Sequence, residues 1–326
     1  MVYYFSRFLI RLALPIYLRK FCIINKKVIP PPGKPVIIAS SHSGSFFDAL
    51  VIGAVLDQPM HTLTRGDVFK KRSVVKWLRS INLIPVFRAS EGLREIKNND
   101  VTFDESFSVL KKGGTILIFS EGISVNEWHL KPLGKGTARM AYQTWFGKEP
   151  IKDMVVLPTG VTYEHFRGAD KRVKLVFGDP IDPTQLTTPV AEQEKWLREF
   201  NHLLYNRMKA SLLHIEKEAT PAETAQKLQA YLSDCPPAAG SSLLRLVGSI
   251  GRGIHQPLYN LFVKKVAKMT RGTVFYDSVL FGILIYAYPV IVLLISLVFG
   301  MLFNVWIGLA VFAGLPLLAL LGNRYR

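Results

Sequence analysis

The sequence predicts an α/β domain, with helices on both faces of a mixed sheet, followed by further helices and a two-helix transmembrane hairpin. Short apolar runs alternate with helical patterns between residues 36 and 177, a pattern typical of a sheet covered on both sides. Residues 278–323 form a stretch of 46 residues without Asp, Glu, Lys or Arg. Since a membrane-spanning helix needs about 20 apolar residues, this stretch is long enough for two.

The elements of the α/β part follow from these patterns in chain order. We expect strands at 36–39, 60–64, 83–87, 115–119, 154–163 and 172–177, and helices at 46–56, 73–80, 101–112 and 136–146. The strand at 115–119 is the clearest, because Gly113-Gly114 ends the preceding helix.

The chain changes character after Gly178. A long helix is predicted over 190–217, and residues 220–223 (Thr-Pro-Ala-Glu) form a capping box that begins another helix. Residues 235–242, rich in Pro, Ala, Gly and Ser, are predicted to be a linker to the apolar hairpin, whose helices are expected at about 278–299 and 304–322.

Residues 1–21 are predicted to form an interfacial amphipathic helix. Arg7, Arg11, Arg19 and Lys20 interrupt its apolar residues. The uncharged run 12–18 is too short to span a bilayer, and no small-residue cleavage site follows, which argues against a secretory signal. A helix that simply faces the core is the alternative.

The positive charge lies beside the most apolar segments. The net charge is +17, yet residues 48–234 hold 26 basic and 23 acidic residues. This distribution favours contact with anionic lipid over nucleic acid, which we do not expect as a partner. Basic residues on both sides of the hairpin place both its ends in the cytoplasm by the positive-inside rule.

The cysteines and histidines indicate no metal site. Cys22 and Cys235 show no Cys-x-x-Cys pattern, and each is expected to be a small buried apolar residue, compatible with a reducing compartment. No His-Glu-x-x-His spacing, P-loop or nucleophile elbow occurs. We therefore expect neither a metal nor a resident cofactor.

His42 is the candidate general base. It follows the strand at 36–39, and in α/β sheets ligands bind beyond the carboxyl ends of strands. Histidine is the side chain whose unperturbed pKa lies near neutrality, and Asp48 could accept a hydrogen bond from Nδ1 and leave Nε2 free. Two alternatives remain open: a structural histidine, and a capping box formed by Ser45 and Asp48.

Four ordered blocks resemble those of the PlsC-type glycerolipid acyltransferases, a family of glycerol-3-phosphate and 1-acylglycerol-3-phosphate acyltransferases. The blocks are His42 to Asp48, 83–88 (Leu-Ile-Pro-Val-Phe-Arg), 119–122 (Phe-Ser-Glu-Gly) and 156–158 (Val-Leu-Pro). The resemblance covers residues 20–180, about half the chain.

The resemblance implies roles for particular residues. His42 and Asp48 match the family's catalytic pair, and Arg88 matches its phosphate-binding arginine. Further phosphate contacts are expected from Arg65, in a basic segment common in the family, and from Lys135. Glu121 and Gly122 match the third block. We expect the carboxylate to bond a glycerol hydroxyl or a basic side chain, and the glycine to allow close backbone approach.

The sequence departs from the family pattern at two places. Five residues, not four, separate His42 from Asp48, so an extra residue must bulge for the two side chains to meet. In the third block Ser120 replaces a proline, and residues 123–124 (Ile-Ser) replace the usual Thr-Arg. The missing arginine leaves the acceptor open.

The expected function is membrane-bound O-acyl transfer in phospholipid synthesis. The donor would be acyl-CoA or acyl-carrier protein, and the acceptor glycerol 3-phosphate or 1-acylglycerol 3-phosphate. The alternatives are another lyso-lipid acceptor, or a non-catalytic lipid-binding protein of the same fold. We expect an integral membrane protein of the bacterial inner membrane, with the active site on the cytoplasmic side.

Four segments are predicted: an interfacial helix at 1–21, the catalytic domain at 22–180, a helical extension with a basic juxtamembrane segment at 181–276, and the hairpin at 277–326.

Overall fold

The computed structural model describes residues 1–69, 71–87 and 99–325. The strands are β1 Lys20–Ile24, β2 Val36–Ser40, β3 Met60–Arg65, β4 Leu83–Val86, β5 Thr115–Phe119, β6 Val155–Tyr163 and β7 Arg172–Phe177. The helices are α1 Val2–Tyr17, α2 Phe46–Val55, α3 Arg72–Ser80, α4 Asn99–Lys111, α5 Gly136–Phe146, α6 Gln193–Ala210, α7 Pro221–Tyr231, α8 Ser242–Met269, α9 Tyr276–Leu302 and α10 Val305–Arg324.

The described strands form one mixed sheet in the order β1-β7-β6-β2-β5-β3-β4. Neighbouring strands are parallel except β6 and β7, which are antiparallel. The central strand β2 lies between β5 and β6, with Val36 opposite both Thr115 and Val155. The carboxyl ends of these three strands therefore meet at one edge, where the loop that contains His42 begins.

Both faces of the sheet are covered, as the sequence predicts. On one face the buried residues of α1, α2 and the start of α9 pack against alternate positions of β2, such as Val36 and Ile38. On the other face α5 and α6 pack against the positions between them, Ile37 and Ala39. This alternation explains why β2 is apolar throughout.

The two prolines of the family blocks lie within strands. Pro85 is in β4, which lies at the edge of the described sheet, where a missing N–H is tolerated. Pro158 lies inside β6, which extends to Tyr163, in agreement with the strand predicted at 154–163. Pairing of β6 with β7 starts at Thr159, so the proline lies just before the antiparallel ladder.

The C-terminal helices α9 and α10 form the predicted apolar hairpin. Both are long and apolar enough to cross a membrane. In the most apolar 18-residue stretch of each helix, only 22% (α9) and 11% (α10) is buried. Asn304 is the N-cap of α10: its side chain accepts a hydrogen bond from the N–H of Ile307 at 3.0 Å, and the turn between the two helices ends there.

The N-terminal segment differs from its prediction. The helix ends at Tyr17, and Lys20 begins strand β1, which pairs with β7. Arg7 and Arg11, expected at a lipid surface, donate instead to carbonyl groups at the C-terminal end of α2, including that of Leu56. These arginines satisfy carbonyls that a helix end leaves unpaired. The helix still exposes apolar side chains on its other face: Val2, Tyr4, Phe5, Phe8 and Leu12.

The expected independence of the two cysteines is wrong. Cys22 in β1 forms a disulfide with Cys235, just after α7, across 213 residues of sequence. Cys235 is fully buried, so the segment predicted as a linker is covalently fixed to the sheet at its first residue. Two cysteines so far apart in sequence carry no local pattern that predicts their pairing.

The long helix after Gly178 is shorter than predicted. It begins at Gln193 and ends at Ala210. Beyond it the chain crosses β6 so closely that a Cβ on Gly160 would lie 2.2 Å from the carbonyl oxygen of Ser211. The following N–H of Leu213 donates to Thr162 at 3.1 Å. Contact with the sheet therefore ends this helix before its apolar pattern does. The capping box at Thr220 and Glu223 is confirmed.

Candidate active site

The loop between β2 and α2 brings His42 and Asp48 together. Nδ1 of His42 lies 3.0 Å from Oδ2 of Asp48. The extra residue is accommodated by Ser45, which has a left-handed φ of 59°, a strained conformation that often occurs at functional sites. Ser45 precedes α2, but its side chain makes no capping bond. The capping-box alternative for Asp48 is therefore wrong.

Asp48 is fully buried and holds three partners. Besides His42, it accepts hydrogen bonds from the N–H of Gly44 at 2.9 Å and from the hydroxyl of Tyr163 at 2.6 Å. Gly44 has no space for a side chain, because a Cβ there would lie 2.6 Å from Oδ1 of Asp48 and 2.8 Å from the Tyr163 ring. The glycine in the loop is thus required by this close approach.

The His42 ring is held in one plane. It stacks on Phe119, the last residue of β5, with ring centroids 3.8 Å apart and an interplanar angle of 14°. Its side chain is 15% exposed, and Nε2 makes no hydrogen bond with any described residue. Since Nδ1 donates to a carboxylate, Nε2 is the acceptor nitrogen and is left for a ligand.

Glu121 forms hydrogen bonds that hold the backbone of the His42 loop. Its Oε1 accepts the backbone N–H of His42 at 2.6 Å, and its Oε2 accepts the backbone N–H of Lys131 at 3.0 Å. The ammonium group of Lys131 lies 3.7 Å from Oε2. Burial raises the pKa of Glu121 despite these bonds. Of the two expected partners, the structure provides the basic side chain, and the carboxylate mainly fixes the backbone of His42.

Gly122 is explained by its conformation. Its φ is +69°, and a Cβ on this residue would have no described atom within 4 Å. Close approach by protein atoms is therefore not the reason for glycine here. The left-handed turn after β5 is the reason, since glycine adopts it without steric cost.

The polar residues in and after the third block, two of which depart from the family pattern, make hydrogen bonds with other parts of the domain. The Ser124 hydroxyl accepts the N–H of Ser45 at 3.1 Å, and the Asn126 amide donates to the carbonyl of Ser43 at 2.6 Å. The Ser120 hydroxyl bonds that of Thr137 at 2.8 Å. The segment after β5 therefore stabilises the loop that carries His42, because its polar side chains form hydrogen bonds with backbone groups of that loop.

Of the three basic residues expected to bind phosphate, the two that the structure describes do not contact this loop. Arg65 is about half exposed and pairs with Asp67. Lys135, just before α5, is also half exposed and lies 2.8 Å from Glu194. Neither has a contact with the His42 loop among the described residues. Arg88 lies outside the described residues.

Sequence reasoning missed Tyr163, Ser124 and Asn126. Tyr163 lies 115 positions from Asp48 and five residues beyond the proline of the fourth block. Burial, followed by the charge of Asp48, raises its pKa well above the ordinary value, so its hydroxyl stays a donor at neutral pH. The alternation along β6, which puts 157, 161 and 163 on one face, is the signal that could have found it.

Comparison with known proteins gives the family. A family model described as acyltransferase matches residues 20–162, the region that contains strands β1 to β5, nearly all of β6 and all four blocks. This region matches the acyltransferase family. The chain is 26% identical, over 160 residues, to the 1-acyl-sn-glycerol-3-phosphate acyltransferase of Bacillus subtilis (strain 168). That match covers 49% of this chain and 72% of the relative.

A solved structure is also similar. The 1-acyl-sn-glycerophosphate acyltransferase PlsC from Thermotoga maritima is 17% identical and covers 57% of this chain and 71% of its own, with a TM-score of 0.39. The region that matches the family contains the His42 loop, and the family and the name of the relative indicate an acyltransferase. In this loop a histidine, its carboxylate partner and an open nitrogen lie together.

Proposed function

We propose that the protein transfers a fatty acyl chain from an acyl thioester to a hydroxyl of glycerol 3-phosphate or 1-acylglycerol 3-phosphate. The observation that carries the proposal is the bond between His42 and the buried Asp48, with Nε2 open. The name of the Bacillus subtilis relative supports a phosphorylated glycerol acceptor. Acyl-CoA or acyl-carrier protein is the proposed donor.

In the proposed reaction, Nε2 of His42 removes the proton from the acceptor hydroxyl while the oxygen bonds to the thioester carbonyl carbon. The tetrahedral intermediate then collapses and the carbon–sulfur bond breaks. The leaving thiolate takes the proton from the imidazolium, so the products are an ester and a free thiol. Asp48 stabilises the imidazolium, and such base catalysis contributes about 10²–10⁴-fold.

For the acceptor phosphate we propose Arg88, Arg65 and Lys135. The carboxylate partners of Arg65 and Lys135 are themselves exposed. Because an exposed ion pair contributes only about 0–1 kcal/mol, a phosphate could displace these carboxylates at little cost. Arg88→Ala should raise the acceptor KM, and an unchanged KM would remove Arg88 from the proposal.

The test of the function is an acyl-transfer assay of the full chain in membranes, with labelled acyl-CoA and acyl-carrier protein against glycerol 3-phosphate, 1-acylglycerol 3-phosphate and other lyso-lipids. We expect many turnovers for the wild type and a loss of about 10³-fold for His42→Ala. His202→Ala, at an exposed position of α6, is the matched control. Wild-type turnover by His42→Ala would refute the base, and binding without turnover would favour a lipid-binding protein.

We also propose that the protein is an integral protein of the bacterial inner membrane. Helices α9 and α10 would span the bilayer, and the acyltransferase domain would lie in the cytoplasm. The lengths of these helices, 27 and 20 residues, support two spans. Their exposed apolar side chains, such as Met301 and Trp306, support contact with lipid.

The disulfide between Cys22 and Cys235 makes the side of the membrane worth testing, because such bonds are rare in the cytosol. A single cysteine in place of exposed Lys76, in a background with both native cysteines changed to serine, reports the side. Labelling by an impermeant maleimide only after cell lysis is expected. Labelling of intact spheroplasts would contradict the cytoplasmic placement.

A further inference from the structure

The first turn of α9 touches the loop that carries the candidate catalytic pair. The Ser278 hydroxyl accepts the backbone N–H of Phe47 at 3.0 Å and donates to the carbonyl of Gly44 at 3.5 Å. Gly44 donates its own N–H to Asp48, and Phe47 directly precedes Asp48. One hydroxyl from the apolar hairpin therefore contacts the backbone on both sides of the strained residue Ser45.

This hydroxyl replaces a missing helix cap. The first N–H groups of a helix have no partner within it, and a side chain at the N-cap usually satisfies one. Ser45 is the N-cap of α2 and makes no such bond. Ser278, 231 residues from Phe47, makes it instead. The start of α2, and with it the position of Asp48, thus depends on a residue of the hairpin.

The first turn of α9 is in turn fixed to the acyltransferase domain. Asp277 is buried and pairs with the ammonium group of Lys171, which is 0% exposed. Asp277 also accepts the Tyr17 hydroxyl at 3.0 Å and the N–H of Gly168 at 2.7 Å. Three groups of the acyltransferase domain therefore hold Asp277, and so set where the hydroxyl of the adjacent Ser278 lies.

Aromatic packing holds the same junction. The Phe281 ring lies 5.2 Å from that of Phe47 and 5.0 Å from that of Tyr17, in edge-to-face arrangements. Phe281 and Phe47 are almost fully buried. The apolar hairpin thus packs into the same core as β2 and α2. A displacement of its first turn would therefore shift the loop that carries His42.

We propose that Ser278 is a positioning residue for the pair formed by His42 and Asp48, so that acyl transfer is coupled to docking of the hairpin's first turn on the acyltransferase domain. This inference rests on the proposed function. Ser278 touches neither nitrogen of His42. It acts through the backbone of Gly44 and Phe47, which fixes the carboxylate that orients the imidazole.

The test uses the full chain in membranes or lipid nanodiscs, with rates divided by the folded fraction. Ser278→Ala should lower kcat by about 10–100-fold, because small misplacements of catalytic groups have effects of this size. Both KM values should stay within about twofold, since no substrate contact is lost. The acid limb of the pH–rate profile should change its midpoint, because the bond between His42 and Asp48 is loosened.

Two further variants separate positioning from packing. Ser278→Thr keeps the hydroxyl and should restore most of kcat. Ser296→Ala is the matched control, because Ser296 is also buried in α9 and its hydroxyl donates only to the carbonyl of Val292 in the same helix, at 2.7 Å. Its kcat and pH profile should match the wild type.

The outcomes distinguish this inference from the proposed function. Wild-type kcat and pH profile for Ser278→Ala, with His42→Ala inactive, would overturn the positioning role and leave the acyltransferase mechanism intact. Equal losses for Ser278→Ala and Ser278→Thr would also overturn it, since the hydroxyl would not be the cause. Full activity of His42→Ala would overturn both.

Discussion

Two buried carboxylates in this molecule have nearly the same surroundings. Asp48 accepts from the Tyr163 hydroxyl, the Gly44 N–H and the ring of His42. Asp277 accepts from a tyrosine hydroxyl, a glycine N–H and a basic side chain as well: Tyr17, Gly168 and Lys171. The two sites differ only in the basic partner and in what surrounds it.

That difference separates the candidate active site from a structural site. Lys171 is fully buried, and its ammonium group lies 5.5 Å from the centre of the Tyr163 ring, so the charge has no contact with solvent. His42 is partly exposed and keeps one nitrogen open. A buried carboxylate with polar neighbours therefore does not by itself make a catalytic site. The feature that distinguishes the candidate site is the open nitrogen of the partner, His42.

The largest expected effect is a loss of activity on substitution of Asp48, the carboxylate of the candidate active site. Asp48→Asn should lower kcat by about 10³-fold, because the amide no longer stabilises a protonated His42. The folded protein should remain, since Asn keeps the volume and one acceptor oxygen. Steady-state kinetics on membranes checks this, and a kcat within threefold of wild type would contradict the orienting role.

The second prediction tests the structural site by stability. Lys171→Met should destabilise the fold by about 3–5 kcal/mol, because it leaves Asp277 buried without its counter-charge. Lys171→Met with Asp277→Asn should recover part of this loss. Lys195→Met is the control, since its pair with Glu192 is exposed and contributes about 0–1 kcal/mol at most. Thermal unfolding in detergent measures all three, and equal losses at 171 and 195 would argue against a buried pair.

The third prediction compares the two tyrosines. Tyr163→Phe should lower kcat about tenfold or more, because a hydrogen bond to a charged group contributes about 1.5–3 kcal/mol. Tyr17→Phe should reduce stability by a similar free energy and leave kcat within about threefold, since Lys171 still holds Asp277. Parallel measurements of kcat and melting temperature check this, and identical profiles for both variants would remove the distinction.

The smallest effect concerns Glu121, a third buried carboxylate. Burial raises its pKa above the ordinary value of 4.5. Between that value and the raised pKa, the folded state binds more protons than the unfolded state, so stability falls as the pH rises through this window. Glu121→Gln should flatten this slope. Unfolding free energies between about pH 4 and pH 7 measure it, and an unchanged slope would contradict the shift.

Much of the fold followed from local patterns. The strand at 115–119 and the helix after Thr220 were predicted closely, because apolar runs, Gly113-Gly114 and a capping box act within a few residues. The order of the four blocks predicted the family. The strand at 20–24 was missed, because its pattern is as compatible with the end of an amphipathic helix as with an edge strand.

The sequence alone determined the alternation of strands and helices, the apolar hairpin and the proximity of His42 and Asp48, since each depends on residues close together in the chain. Only the tertiary structure decided that Tyr163 fixes Asp48, that Cys22 meets Cys235 and that Ser278 caps α2, across 115, 213 and 231 residues. Spacing along a chain has no bearing on such contacts. They exist because the mixed sheet and the docked hairpin bring distant segments to one place.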